Sequence, residues 1–203
     1  TLFVTHDQDE AMNMSDRIVI MRRGHVVANG RPRELYESPN SLWTAKFLGE
    51  VNAIPVHHAG LRGDQADVTL PGGGVAPARM KSRPGSGQKL VAIVRPERCR
   101  IAVRKPASPA LQATIATVTY LGARQRIDLE AEGGLPLRVV MPGIEWPGEA
   151  GDRIWFSWDQ DALLLVPDDE SDASCAAAHG DHGGAEDDAP HARPAEAANG
   201  HGR

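Results

Sequence analysis

Short apolar segments separated by glycine and proline turns dominate the chain from residue 51 to residue 167 and limit what it can fold into. These segments recur at a spacing of about ten residues, which is typical of all-β domains. They are 51–56, 66–70, 90–94, 111–120, 126–131, 135–141, 154–158 and 163–166. The pattern predicts a small β-barrel or sandwich.

The segment from residue 126 to 132 shows strand alternation most clearly. Ile127, Leu129 and Ala131 fall on one face, and the charged residues between them fall on the other. Gly133-Gly134 then supplies a turn. We therefore expect a strand with one buried and one solvated face.

The first 49 residues follow a different pattern, in which strands alternate with short helices. Thr1–Thr5 is β-branched and apolar without alternation, which predicts a fully buried strand. Because residue 1 already lies in this segment, we expect the natural N-terminus to lie upstream. The next elements predicted are a helix capped by Asp7 or Asp9, a hairpin over 17–28, and helices that begin at Pro32 and at Asn40 or Ser41.

The last 36 residues, 168–203, contain no aromatic residue and no aliphatic side chain larger than alanine. Nine acidic residues and two arginines give this tail a charge of −7, so the rest of the chain carries +2 of the total of −5. Such a segment has too little apolar surface to offset its ordering entropy. We predict a disordered tail.

Composition excludes several classes of function. The near-neutral body has no basic cluster with interleaved aromatic residues, which argues against nucleic-acid binding. No apolar run is long enough to span a bilayer, so direct membrane insertion is not expected. Cys99 and Cys175 lie far apart and suggest no disulfide framework, in keeping with a reducing compartment.

The segment FVTHDQDEAM, followed by SDRIVIM and then by Gly24, resembles the ATP-binding subunits of bacterial ABC importers. The resemblance continues through GRP, ELY, Pro39 and FLGE up to Glu50. It implies that His6 is the switch histidine, which contacts the γ-phosphate of ATP in the intact protein. Imidazole suits this role because it can donate a hydrogen bond at neutral pH without a fixed charge.

The β-rich part resembles the transport-associated OB-type (TOBE) domain that follows the ATPase in importers of polyamines, ferric iron, sugars or oxyanions. The matching residues are VRPE at 94–97, YLG at 120–122, and Gly151-Asp152 leading into IWFSW. The implied fold class is α+β, with a C-terminal fragment of a P-loop ABC ATPase domain (1–49), an OB-like barrel (50–167) and the tail (168–203).

The resemblance implies an ATP hydrolase that energises solute import, with ATP and Mg²⁺ as cofactors. It also implies a homodimer that docks on membrane-spanning permease subunits at the cytoplasmic face of the inner membrane. However, the sequence contains no G-x-x-x-x-G-K-[ST] loop to hold the phosphates. We therefore expect no ATP hydrolysis by this chain alone. The alternative is a stand-alone ligand-binding or regulatory module.

Arg95 and Glu97 follow an apolar strand and are candidates for contacts with a regulatory ligand. A structural salt bridge at the strand end is an equal alternative. His57 and His58 would point to opposite faces of a strand, so no shared metal is predicted there. The four tail histidines lie beside carboxylates and would hold divalent metals only loosely. They are His179, His182, His191 and His201.

Overall fold

The first fifty residues form three short helices and a two-stranded hairpin. The computed structural model describes residues 1–145 and 148–170. The elements are α1 (Gln8–Met14), β1 (Ile18–Arg22), β2 (His25–Gly30), α2 (Pro32–Glu37) and α3 (Leu42–Phe47). The side chain of Asp7 caps α1 by accepting from the backbone amides of Asp9 and Glu10, and Ser41 caps α3 in the same way.

The hairpin turns at Arg23-Gly24, as predicted. Both residues have positive φ, 50° and 81°, which is the backbone of the two-residue turn that matches strand twist. Ile20 and Ala28 point from the hairpin into a small core that includes Leu35 of α2. The helices and the hairpin therefore share one apolar centre.

The prediction of a buried strand over Thr1–Thr5 is wrong. These residues form no regular secondary structure, and Leu2 and Val4 are about nine-tenths exposed, at 91% and 87%. An apolar segment becomes a strand only when neighbouring strands accept its backbone hydrogen bonds. No strand in the described part of the chain pairs with it.

The β-rich part consists of two larger sheets. The strands are β3 (Asn52–Pro55), β4 (His58–Arg62), β5 (Gln65–Thr69), β6 (Val75–Arg79), β7 (Leu90–Val94), β8 (Cys99–Ala102), β9 (Leu111–Leu121), β10 (Arg124–Ala131), β11 (Leu135–Pro142), β12 (Arg153–Trp158) and β13 (Leu164–Pro167). One sheet has the order β3-β7-β13-β6-β5-β4, and the other β11-β10-β9-β12-β8. All pairings are antiparallel except that of β13 with β6. Every predicted segment is a strand, whereas β4, β6 and β8 were not predicted.

The two larger sheets pack on one hydrophobic core. Ile54 and Val68 contribute from the six-stranded sheet, and Ile127 and Phe156 from the five-stranded sheet. All four side chains are fully buried. The predicted inward face of β10 is confirmed, since Ile127, Leu129 and Ala131 all belong to this core.

The five-stranded sheet curves until its two outer strands approach each other. β11 contacts β8 although the strands lie at opposite ends of the sheet order. The pairing of β9 with β10 shifts between Asp128 and Leu129, which leaves Ala116 as an extra residue in β9. Such a bulge bends a strand and increases its twist. The curved sheet agrees with the predicted OB-like fold, but β8 and β11 approach each other without pairing.

Strand β7 is buried on both faces, which explains its unbroken apolar sequence. Ala92 and Val94 face the main core, whereas Val91 and Ile93 pack against Leu42 of α3 and its neighbours. Helix α3 therefore joins the first fifty residues to the six-stranded sheet. No helix in the described ranges has the length and apolarity that crossing a bilayer requires.

The predicted disordered segment begins too early. Asp168, Asp169 and Glu170 form ion pairs with Lys89, Arg22 and Lys46, respectively. Composition indicated only that these residues lack apolar surface, but each carboxylate has a cationic partner on the folded body. The remainder of the predicted tail, 171–203, lies outside the described residues.

Asp169 makes the most specific of these contacts. Its Oδ1 accepts from the backbone nitrogen of Trp43 in the first turn of α3 at 2.9 Å, and its Oδ2 lies 3.5 Å from Arg22. We predict that Asp169→Ala lowers the free energy of unfolding by about 1 kcal/mol, the usual effect of losing a helix-capping acceptor. Urea unfolding measures the difference.

The matched control is Asp64→Ala, because Asp64 is exposed and its side chain makes no hydrogen bond or ion pair within the described ranges. We expect this variant to stay within about 0.5 kcal/mol of the parent. Equal stability of the two variants would show that Asp169 does not hold α3.

Candidate functional site at the Arg95 junction

Arg95 lies where the six-stranded sheet meets the helices of the first fifty residues. It directly follows β7, and a single 3₁₀ turn, Pro96–Arg98, comes after it. Only 8% of its surface is exposed. A guanidinium at such a depth requires several hydrogen-bond acceptors to compensate for lost hydration.

Backbone carbonyl groups supply these acceptors. Nη1 of Arg95 donates to the carbonyl oxygens of Ala45, Gly49 and Glu50 at 3.0, 3.1 and 3.0 Å. Nη2 donates to the carbonyl oxygen of Tyr36 at 3.2 Å. Ala45 lies in α3 and Tyr36 in α2, so one side chain binds both helices and the linker that leads into β3.

The position of these carbonyls explains why a cation is needed. The last turns of short helices leave carbonyl groups without intrahelical partners, and they carry partial negative charge. Burial lowers the pKa of Arg95. An arginine side chain nevertheless keeps its charge in proteins. Its planar fork holds several donors in a fixed arrangement, whereas the ammonium group of a lysine is a compact point charge.

Tyr36 covers the guanidinium on one side. The ring centroid lies 4.0 Å from Cζ of Arg95, within cation–π range. The Tyr36 hydroxyl donates to Oε1 of Glu97 at 2.8 Å. Burial and this hydrogen bond raise the pKa of Tyr36 to about 12. Gly49 has a φ of 150°, which side-chain-bearing residues rarely adopt, and a Cβ atom added there would lie 3.4 Å from the Tyr36 ring.

A cleft of about 410 Å³ opens beside this arrangement. Its lining includes Arg33, Tyr36, Arg95, Glu97 and Asp161. The structure therefore brings the two predicted candidates, Arg95 and Glu97, to the same cleft. No carboxylate in the described ranges lies within ion-pair distance of Arg95, so it does not form the salt bridge that was the alternative. Their role as ligand contacts stays a prediction.

A second connection between the linker and the barrel was not predicted. Asn52 Nδ2 donates to the carbonyl oxygen of Arg138 at 2.8 Å, and the amide of Arg138 donates to Asn52 Oδ1 at 2.6 Å. The Arg138 guanidinium donates to Asp128 and Glu50, both at 2.6 Å. The hydrogen bond to Asp128 raises the pKa of Arg138. These contacts could not be predicted from a local sequence pattern, because the residues that form them are far apart along the chain.

His6 lies apart from the Arg95 junction. It is exposed, in the loop that directly precedes α1. Thr5 and Asp7 order this loop, because Oγ1 of Thr5 donates to Glu10 and accepts from the amide of Asp7. No hydrogen bond or ion pair in the described part of the chain joins His6 to Arg95 or Glu97. Its role as a switch histidine stays a prediction.

The side chains that commonly bind metal ions do not cluster in the described ranges. No group of three or more histidine, cysteine, aspartate or glutamate side chains in the described ranges could hold a metal ion. The four tail histidines fall outside those ranges. Cys99 is buried, and burial raises the pKa of its thiol, which makes it a poor nucleophile.

Comparison with known proteins places the β-rich part in a family. Residues 92–166, which run from β7 to β13, match the model of the TOBE domain. The chain therefore carries a TOBE domain. The match begins inside β7, so the Val94-Arg95-Pro96-Glu97 segment that forms the junction belongs to it.

The relatives are ATP-binding subunits of ABC importers. The spermidine/putrescine import ATP-binding protein PotA of Frankia alni is 33% identical over 181 residues, which cover 82% of this chain and 39% of the relative. The Fe(3+) ions import ATP-binding protein FbpC of Agrobacterium fabrum is 37% identical over 134 residues, 66% of this chain and 36% of the relative. The chain thus spans less than half the length of these curated relatives.

Solved structures that are similar to this chain include a molybdate-binding protein. It is the cytoplasmic molybdate-binding protein ModG with molybdate bound, at 18% identity and a TM-score of 0.47. The similarity covers 58% of this chain and 96% of that protein.

We predict that Arg95→Lys lowers the free energy of unfolding by about 2–4 kcal/mol, since an ammonium group cannot serve four carbonyls arranged around a fork. Chemical denaturation measures the change. Arg98→Lys is the matched control, because exposed Arg98 only pairs with Asp159 and should change stability by about 0.5 kcal/mol or less. An Arg95→Lys protein as stable as the control would rule out the bridging role.

The raised pKa of Tyr36 predicts that the free energy of unfolding changes in alkaline solution. Its phenol has a pKa of about 12 in the folded chain and about 10 when unfolded, so folding favours the neutral form. This contribution to stability is fully present below pH of about 10 and is lost as the pH rises to about 12. We expect the stability difference between the parent and Tyr36→Phe to shrink across this interval.

An absorbance titration provides an independent measurement. The chain has two tyrosines, and Tyr36→Phe should remove the one that ionises late. If the absorbance change of the variant is half that of the parent at every pH, the pKa of Tyr36 is not raised.

Proposed function

We propose that this chain is the C-terminal part of the ATP-binding subunit that energises an ABC solute importer. The observation that carries this proposal is an apolar outer face on the hairpin. Val19, Met21 and Val26 are between 53% and 60% exposed there, and Met21 lies directly opposite Val26. A two-stranded hairpin with such a face gains stability by packing against a further sheet or helix.

The length of the similarity supports the same proposal. The alignment with the Frankia alni relative covers 181 residues, far more than the 75 residues from 92 to 166 of the domain match. This length supports the proposal that the first fifty residues and the TOBE domain together belong to a longer protein. In that protein, the preceding nucleotide-binding segments would cover the hairpin face.

His6 would act as the switch histidine of that longer protein. His6 is exposed in a loop ordered by Thr5 and Asp7, which supports this role. The γ-phosphate would be held by segments outside residues 1–203, so only an exposed side chain could reach it. Phosphoryl transfer depends on positioning and on charge stabilisation, so one donor that moves with a loop can gate it. The phosphate loop that would hold ATP and Mg²⁺ belongs to the preceding segments.

The partners follow from the proposed role. A second copy of the subunit and the membrane-spanning permease subunits would complete the importer at the cytoplasmic face of the membrane. The relatives are named for different solutes, polyamines in one case and ferric iron in the other. The function proposed for this chain is therefore the import of a solute.

The Arg95 junction gives the TOBE domain a defined place in this proposal. Arg95 and the Asn52–Arg138 pair hold the linker from both sides, so movement of α2 and α3 would carry the barrel with it. Such a connection suits a regulatory domain that senses or limits the motion of the ATPase.

A stand-alone binding module is the second candidate, and a larger cleft favours it. This cleft of about 810 Å³ lies along β9 and β12. Trp155, Arg153, Lys105 and Glu130 line it, and the ammonium group of Lys105 lies 5.1 Å from the Trp155 ring. An aromatic surface beside charges of both signs could hold a small polar ligand. This reading leaves the apolar hairpin face without a purpose.

A chimera tests the proposal directly. Residues 1–203 would replace the corresponding part of the Frankia alni relative, and ATP binding and hydrolysis would be measured. We predict that the chimera hydrolyses ATP and that His6→Ala lowers its kcat by roughly 100-fold, the usual loss for one catalytic hydrogen-bond donor. ATP binding should persist in this variant.

His25→Ala is the matched control, since His25 is exposed at the hairpin turn. We expect it to hydrolyse ATP like the parent chimera. A His6→Ala chimera with the same kcat as this control would refute the switch role. A chimera that binds ATP but shows no turnover with His6 intact would count against the proposed function as a whole.

A further inference from the structure

The larger cleft, of about 810 Å³, has β9 as its floor. Along this strand, Leu111, Ala113 and Ile115 point into the main core. Because side chains alternate along a strand, Gln112 and Thr114 point to the opposite face, where they line the cleft. The volume of the cleft falls within the usual range of ligand pockets.

The strand register places opposite charges on the two sides of β9. Thr114 pairs with Arg153 of β12 on one side and with Glu130 of β10 on the other. Directly opposed residues of antiparallel strands point to the same face, so these three side chains form one row. Trp155 and Gln112 form the next row. The cleft therefore has a cationic wall on β12 and an anionic wall on β10.

Each wall carries a second charge of the same sign. Lys105 adds to the cationic wall, and its ammonium group lies 5.1 Å from the centre of the Trp155 ring. Glu132, which directly follows β10, adds to the anionic wall. A Cβ atom added at Gly72 would lie 3.2 Å from Oε2 of Glu132, so the turn after β5 lies against this wall.

These four charged side chains have no partner of opposite charge. Within the described ranges, Arg153, Lys105, Glu130 and Glu132 form no hydrogen bond or ion pair through their side chains. The carboxylate of Asp128, two residues before Glu130 on the same strand, pairs with arginines instead. Unpaired charges that converge on a concave surface indicate a ligand that supplies the missing partners.

We propose that the larger cleft binds a small zwitterion of the amino-acid class. Its carboxylate lies at Arg153 and Lys105, and its ammonium group lies at Glu130 and Glu132. A ligand with a single charge is attracted by one wall and repelled by the other, whereas a zwitterion is attracted by both. The Trp155 ring offers an apolar surface to the methylene groups between the two charges.

The strand spacing limits the length of this ligand. One strand, β9, separates β12 from β10, so the two walls stand about 10 Å apart. A charge-assisted hydrogen bond takes up about 3 Å at each wall, which leaves about 4 Å between the charged groups of the ligand. A short ω-amino acid such as γ-aminobutyrate can span this distance.

The proposal rests on the cleft of the second candidate function and specifies its ligand, and it does not depend on solute import. A chain that binds no zwitterion would leave the importer proposal untouched. A chimera that binds ATP without hydrolysing it would, in turn, leave zwitterion binding by this chain unaffected.

An NMR titration of the full chain tests the cleft. We expect γ-aminobutyrate to shift the indole N–H signal of Trp155 saturably, with a Kd of about 1–10 mM for a site so open to solvent. Loss of the signal in Trp155→Phe assigns it. Butyrate and butylamine each carry only one of the two charges, so they should bind about tenfold more weakly or worse.

Variants of the two walls test the orientation of the ligand. Arg153→Gln should weaken γ-aminobutyrate binding about tenfold without weakening butylamine binding, and Glu130→Gln should do so without weakening butyrate binding. Both side chains are exposed and unpaired within the described ranges, so the variants should fold like the parent.

Arg124→Gln and Glu149→Gln are the matched controls. Both side chains are exposed, lie outside the cleft, and form no hydrogen bond or ion pair in the part of the chain that the structure describes. The controls should bind γ-aminobutyrate like the parent. The proposal is overturned if γ-aminobutyrate gives no saturable shift up to about 100 mM, if butyrate or butylamine binds the parent as tightly, or if the controls weaken binding as much as the wall variants.

Discussion

A single buried guanidinium determines how the two parts of this molecule are joined. Arg95 follows a strand that is buried on both faces, so the guanidinium is carried into the contact between α3 and the six-stranded sheet. The carbonyl groups it meets, on Tyr36, Ala45, Gly49 and Glu50, come from two helices and the linker. Without this cation, four polar groups would lie at a poorly hydrated junction, and each would cost free energy.

The second connection makes the linker stiff. Glu50 accepts from Arg95 through its backbone and from Arg138 through its side chain, and Asn52 forms two further hydrogen bonds with Arg138. The linker is thus fixed to the six-stranded sheet on one side, through Arg95, and to the five-stranded sheet on the other, through Arg138. Interfaces held mainly by exposed polar groups allow domain motion. Here the buried Arg95 and Asn52 favour motion of the helices and barrel as one body.

Elements with strong local patterns could be predicted from the sequence, whereas those formed by distant contacts could not. The alternation of β10 and the apolar run of β7 identified both strands. β4 and β6 were missed because glycine, alanine and proline give HAGLR and VAPAR weak strand preference, and pairing with β5 stabilises them. Arg95 was recognised as a candidate, but its acceptors are backbone carbonyls about 50 residues away, which have no sequence signature.

The exposed apolar face of the hairpin requires a particular kind of partner. Met21 and Val26 lie on strands whose backbones already pair with each other, so this surface needs a layer packed against it rather than a further strand. A nucleotide-binding domain can supply such a layer. The hairpin shares a small core with α2, and Arg95 binds the carbonyl oxygens of Tyr36 in α2 and Ala45 in α3. A shift of the covering layer would therefore act on the same helices that Arg95 joins to the six-stranded sheet.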